Sequence, residues 1–188
     1  MKWTAVKPDV SPLNLSAVIK ILPLLEVVSL VNAMQHGPIV LFNPSARNVI
    51  RRHVTPKLEE SGGLLIGKAI LPEELSIRLP YPIIYVSEAV RSEQSIGTAV
   101  SLEMDSAVWT SALKDRPSGS MVVGWFHSHP NLGAFFSGTD RSTQRSFFNH
   151  EYSLGYVIDP VRDQHAYFLG PNSSKLNAAN VVEQSIDL

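Results

Sequence analysis

The chemically suggestive residues lie in one stretch, "GWFHSHPNLGAFFSGTD", residues 124–140. His127 and His129 stand two apart at the end of an apolar run, and Asp140 follows after a loop. In a strand, side chains at i and i+2 leave by the same face, so the two imidazoles start about 7 Å apart, from a rise of roughly 3.3 Å per residue. From there two ring nitrogens can meet on one ion at about 2.0 to 2.1 Å each. With Asp140 they make the three protein ligands of a catalytic zinc, which keeps its fourth position open. The same residues also have an ordinary structural reading. A histidine pair at a strand end can simply be hydrogen-bonded, and Ser137 with Asp140 spells S-x-x-D, the capping box that satisfies the first amides of a helix. Spacing alone leaves both readings open.

Something must hold these residues, and the flanking chain reads as short alternating elements. "MVVGWFHSH" is strand-like, and Pro130 ends it by removing a ladder donor. "TDRSTQRSFFNH" is helix-like. Before them come "PIVLF" (38–42) as a strand, then "PSARNVIRRHVTPKLEES" as a helix that Pro56 ends or kinks. "GGLLIGKAI" (62–70) reads as a glycine-bounded buried strand, and "SIRLPYPIIYVSEAV" as one or two more. "SLEMDSAVWTSALKD" (101–115) reads as one helix closed by "PSG". After the metal-site candidates, "YSLGYVID" and "QHAYFLG" are strands joined by a turn at "PVRD". Helices and strands alternate without a regular βαβ rhythm, so the expected fold is of the α+β type, a mixed sheet flanked by helices.

Bulk properties narrow the function classes. The chain has 188 residues, enough for one domain with modest extensions. Its formal net charge is -1 and 18% of residues are charged, so no nucleic-acid or anionic-membrane partner is expected from bulk electrostatics. The basic run "RNVIRRH" (47–53) reads as a solvated helix face. The absence of cysteine removes disulfides, thiolate zinc sites and thiol proteases together. It fits a reducing compartment, and a cytoplasmic location is the expectation. His36, His53, His150 and His165 are scattered and read as structural or surface residues.

Residues 1–36 contain an apolar stretch from Leu15 to Met34, about the length of a membrane span. Lys20, Pro23 and Glu26 interrupt it, and no compact signal-peptide core with a small-residue cleavage site is present. The reading is a soluble amphipathic extension, packed on the main domain or docking another protein. Residues 37–172 form the expected domain and 173–188 a tail or a short docked helix.

The run "GWFHSHPNLGAFFSGTDRSTQ" resembles the metal-binding signature of the JAMM (MPN-domain) metalloproteases, with H-S-H-P, a six-residue loop and S-x-x-D. Gly124, Trp125, Thr143 and Gln144 further resemble the branch that removes ubiquitin. "EESGGLLIGK" is similar to the family strand whose catalytic glutamate stands three residues before the glycine of G-L-x-x-G. With Gly63 as that glycine, the glutamate is Glu60, and Glu59 is its neighbour one register away. "GYVIDPVRDQHAYFLG" resembles the strand, turn and strand that follow. The likeness runs from about Pro38 to Gly170 and is compact, as in a bacterial relative. Residues 71–100 have room for one of the two insertions with which eukaryotic relatives grip substrate.

The resemblance implies a fold related to that of cytidine deaminases, though the deaminase zinc pattern of H-x-E and P-C-x-x-C is absent. It implies zinc on His127, His129 and Asp140, Glu60 as proton shuttle and Ser137 as oxyanion donor. The implied activity is an isopeptidase that cleaves after the C-terminal glycine of a ubiquitin-like protein, its partner and substrate. Two alternatives remain: a JAMM peptidase acting on a sulfur-carrier protein, and a metal-free MPN scaffold. No G-x-S-x-G elbow offers a serine route instead.

Overall fold

The computed structural model describes residues 32, 36–55, 59–70, 81–93, 96–98, 101–103, 107–114 and 116–183. The expected extension, apart from residues 32 and 36, lies outside the described residues. Among those described, no helix is long and apolar enough to cross a membrane.

The chain enters the sheet with β1 (Ile39–Phe42), every residue of which is buried. Asn43 then caps α1 (Pro44–Val54), its side chain accepting from the Ser45 amide, and proline occupies the first turn where its missing N–H costs nothing. Next come β2 (Gly62–Ile70), β3 (Ile83–Arg91) and a small hairpin of β4 (Ile96–Thr98) and β5 (Ser101–Glu103). Helix α2 (Ala107–Lys114), strand β6 (Met121–Ser128) and helix α3 (Gly138–Phe147) follow. Strands β7 (Leu154–Asp159), β8 (Gln164–Leu169), β9 (Ser174–Leu176) and β10 (Val181–Glu183) complete the order.

Eight strands form one mixed sheet in the order β10-β1-β3-β2-β6-β7-β8-β9. The pairs β10 with β1, β1 with β3 and β6 with β7 are parallel, and the others antiparallel. Side-chain alternation along β7 and β8 divides the core between the two faces. Tyr156, Tyr167 and Leu169 join Ala46, Ile50 and Val54 of α1 on one face. Val157, Ala166 and Phe168 join Val108 and Ala112 of α2 on the other. Each fully buried large apolar side chain contributes about 1.5–3 kcal/mol over its exposed state. The expected α+β fold, a mixed sheet flanked by helices, is the one observed.

Two expectations are corrected. The helix expected over 101–115 begins only at Ala107, because Ser101–Glu103 pairs with Ile96–Thr98 as a hairpin. The expected tail of 173–188 is part of the sheet as far as Glu183. Leu176 is buried, β9 pairs with β8, and β10 lies parallel to β1.

Candidate metal centre

Three elements end at one place. Gly62 of β2 pairs with His127 of β6, so the residues just before β2 stand beside the end of β6. There the two segments are stitched together: the Ser128 amide donates to the Ser61 carbonyl at 2.8 Å, and the Ser61 amide donates to Ser128 Oγ at 3.1 Å. Both serines are fully buried. This fixes Glu60, immediately before Ser61, against the histidine strand. Gly63 is needed for the same approach, because a Cβ there would stand 2.0 Å from the Val90 carbonyl oxygen and 2.8 Å from the Phe126 ring. The third element is the start of α3. Its capping box is complete, with Ser137 Oγ accepting from the Asp140 amide at 3.2 Å and the Ser137 amide donating to Asp140 Oδ2 at 2.6 Å.

His127 Nε2 and His129 Nε2 face each other at 3.1 Å. Asp140 spans both, with Oδ1 3.2 Å from His127 Nε2 and Oδ2 3.5 Å from His129 Nε2. Glu60 Oε1 stands 3.5 Å from His129 Nε2. One possible ligand atom from each of His127, His129 and Asp140 lies within 4.8 Å of the other two. Ligands at about 2.0–2.1 Å in a tetrahedron are about 3.3–3.4 Å apart, so this donor set fits a zinc-sized cation. The capping and metal-site readings of Ser137 and Asp140 are therefore compatible, since the capped helix presents Asp140 to the histidines.

Burial of these groups is nearly complete: His127 is 0% exposed, His129 3%, Glu60 4% and Asp140 7%. The His127 ring is stacked on Trp125, 4.5 Å between centroids and 10° between planes. Trp125 Nε1 in turn donates to Gln144 Oε1 at 2.6 Å. The Gln144 amide nitrogen donates to the carbonyls of Phe148, Ser153 and Gly170, which locks α3 to the sheet. His129 rests against Phe135, a half-exposed ring 5.0 Å away.

The electrostatics separate the two carboxylates. Burial, and then the charge of Asp140, push Glu60 up to about 7. For Asp140 burial acts in the same upward direction, but hydrogen bonding and charge from His127, with the hydroxyl and amide of Ser137, bring it down to about 2. Burial and the neighbouring His127 lower His129, against smaller opposing effects that include Asp140. A neutral imidazole and an ionised carboxylate are the forms in which these groups ligate a metal. Glu60, poised near neutrality, is suited to taking and releasing a proton.

All five sequence candidates, His127, His129, Asp140, Glu60 and Ser137, thus meet in one cluster. Glu60 is buried against His129, whereas Glu59 is exposed. Ser61 and Asp159 join the surroundings of this cluster through contacts distant in the chain. The only local signal for Asp159 is an aspartate before proline at a strand end.

A model of the family described as prokaryotic homologs of the JAB domain matches residues 43–169, a span that contains the whole cluster. The chain belongs to this family. Over 118 residues this JAB-domain protein is 34% identical to the 26S proteasome regulatory subunit rpn11 of Schizosaccharomyces pombe, covering 59% of the chain and 34% of that relative. It is 38% identical over 71 residues to the ubiquitin carboxyl-terminal hydrolase RPN11 of Saccharomyces cerevisiae, covering 35% of the chain and 23% of the relative. The matched segment is about a third or less of these curated relatives. A Desulfitobacterium hafniense protein of known solution structure superposes with a TM-score of 0.56 at 19% identity, over 78% of this chain and 94% of that one, a likeness of fold.

Proposed function

We propose that this JAB-domain protein is a zinc-dependent isopeptidase or peptidase that hydrolyses the bond after the C-terminal glycine of a ubiquitin-like protein. The observation that carries the reading is the convergence of His127, His129 and Asp140 beside a buried glutamate held near neutrality. The relative named a ubiquitin carboxyl-terminal hydrolase supports the substrate class.

His127, His129 and Asp140 would hold the zinc, which supplies Lewis acidity toward a carbonyl and toward water. Glu60 accepts a proton from the attacking water as its oxygen bonds to the scissile carbonyl carbon. Ser137 Oγ donates to the oxygen on which negative charge develops, a contact worth about 3 kcal/mol by the measure of other oxyanion donors. When the C–N bond breaks, Glu60 returns the proton to the departing amine. The products are a carboxylate and a free amine, and no covalent enzyme intermediate is needed. The exposed Phe135 and Leu132, at 47% and 42%, flank the centre on the loop between its ligands and offer apolar contact to the substrate chain.

The test pairs metal analysis of the purified protein with a cleavage assay on a ubiquitin-like fusion extended past its C-terminal glycine. Wild type should carry about one zinc and cut after that glycine. His127→Ala should lose the zinc and the cleavage while remaining folded, because the apolar core does not depend on the ion. Full zinc occupancy in His127→Ala would overturn the ligand assignment, and zinc-loaded wild type inert on such fusions would overturn the substrate class.

A further inference from the structure

We propose that Asp159 is a positioning residue for the metal centre, acting on His129 through the loop at residues 131–133. The inference rests on the reading of His129 as a zinc ligand. Asp159 ends β7, is 0% exposed, and its carboxylate is filled by backbone amides. Oδ1 accepts from Val161 at 2.9 Å and Arg162 at 3.1 Å, which closes the β7–β8 turn. The other two bonds reach across the fold: Asn131 donates to Oδ1 at 2.9 Å and Gly133 to Oδ2 at 2.7 Å. A turn needs only the first pair. The second pair ties the loop that leaves the metal centre to the end of a different strand.

That loop would not hold its shape unaided. Asn131 and Gly133 both sit at positive φ, 61° and 93°, a region disfavoured for residues with a Cβ. The restraint begins at His129 itself, whose amide donates to the Ile158 carbonyl at 2.8 Å, while its carbonyl accepts from the Leu132 amide at 3.2 Å. One carboxylate therefore fixes Asn131 and Gly133, on either side of the Leu132 amide that holds the His129 carbonyl. Four amides more than compensate the burial of Asp159, whose pKa is lowered, so the clamp is charged at neutral pH. Groups that orient a ligating histidine from behind typically govern metal affinity about 10- to 100-fold.

Two variants test the clamp from its two ends. Asp159→Asn keeps the size but replaces an accepting oxygen with an amino group that faces amide donors. Gly133→Ala leaves the carboxylate intact and disturbs the loop instead; a Cβ there meets nothing closer than Gln164 Oε1 at 3.5 Å, but φ of +93° is strained for alanine. Zinc affinity would be measured by competition with a chromophoric chelator, the coordination by the visible spectrum of the cobalt-substituted protein, and folding by circular dichroism melts. Both variants should fold, bind zinc about 10- to 100-fold more weakly and show an altered cobalt spectrum. Folded variants with wild-type zinc affinity and an unchanged cobalt spectrum would overturn the inference alone. If Asp159→Asn does not fold, Gly133→Ala decides by the same readouts. Wild-type protein without zinc affinity would bring down the metal-centre reading, and this inference with it.

Discussion

At the scale of single residues, the informative contrast is between two glutamates adjacent in sequence. Glu59 is exposed, whereas Glu60 is buried beside His129 with its pKa raised to about 7. Glu60→Gln keeps the shape and removes the base, so turnover should fall by about 10²- to 10⁴-fold while zinc stays bound. Glu59→Gln should leave turnover near wild type; the reverse order of effects in steady-state kinetics would move the base by one residue. The same shift predicts a pH dependence of stability. In the metal-free protein Glu60 holds its proton up to about 7 when folded and releases it near 4.5 when unfolded. Between these values the folded state binds the extra proton, so stability falls as pH rises through that window, and burying the ionised group is a full cost above it. Metal-free Glu60→Gln should therefore gain melting temperature relative to wild type as pH is raised from 4.5 to 7. Melts whose difference does not change over that range would contradict the raised pKa.

At the scale of elements, the proposed function gives the start of α3 two jobs with one side chain. Ser137 completes the capping box, and in the proposed reaction its hydroxyl also donates to the developing oxyanion. Substitution can separate the two roles. Ser137→Ala should lose about 0.5–2 kcal/mol of stability, whereas Ser137→Gly should lose only a few tenths, since glycine is tolerated at an N-cap. Turnover should fall about 10²- to 10³-fold in both. If activity instead tracks stability across the pair, the hydroxyl is a cap and no more. The element misjudged from sequence, residues 101–115, shows the limit of local pattern. Leu102 fits an apolar stripe continuous with Val108, but Leu102 pairs with Gly97 in the hairpin, and the helix starts five residues later at Ala107.

At the scale of the whole molecule, the two ends of the sheet are closed by residues 174–183. β10 covers β1 in parallel register, Asn180 Nδ2 donates to the Pro38 carbonyl at 3.0 Å, and Glu183 pairs with Arg47 at 3.0 Å. Leu176 is buried in the same core as α1. A chain ending at residue 172 loses all of these and leaves the β1 edge unpaired. Burial of one leucine alone is worth about 1.5–3 kcal/mol, and about 2–4 °C of melting temperature accompanies each kcal/mol in a domain of this size. The shortened chain should melt at least about 3 °C below the full one, as circular dichroism would register. An unchanged melting temperature would make these strands dispensable.

The elements legible in the chain follow from local rules. Period-two and period-3.6 apolar patterns, prolines at element ends and S-x-x-D before a helix are short-range signals, and they locate β1, α1, β2, β6 and α3. H-S-H at a strand end places two imidazoles on one face because the pleat alternates, whatever the rest of the chain does. What those residues meet depends on contacts between elements far apart in the chain. Glu60 joins the histidines because β2 pairs with β6 in a register that seats Gly62 opposite His127. Its pKa, and that of Asp140, are set by burial and by neighbours brought from separate elements. The short strands β9 and β10 carry too few residues for a periodic signal, and only the edges offered by β8 and β1 make them strands. Asp159 is the clearest case: locally it is only an aspartate before proline at a strand end, and its hold on the 131–133 loop exists only once β7 lies beside β6.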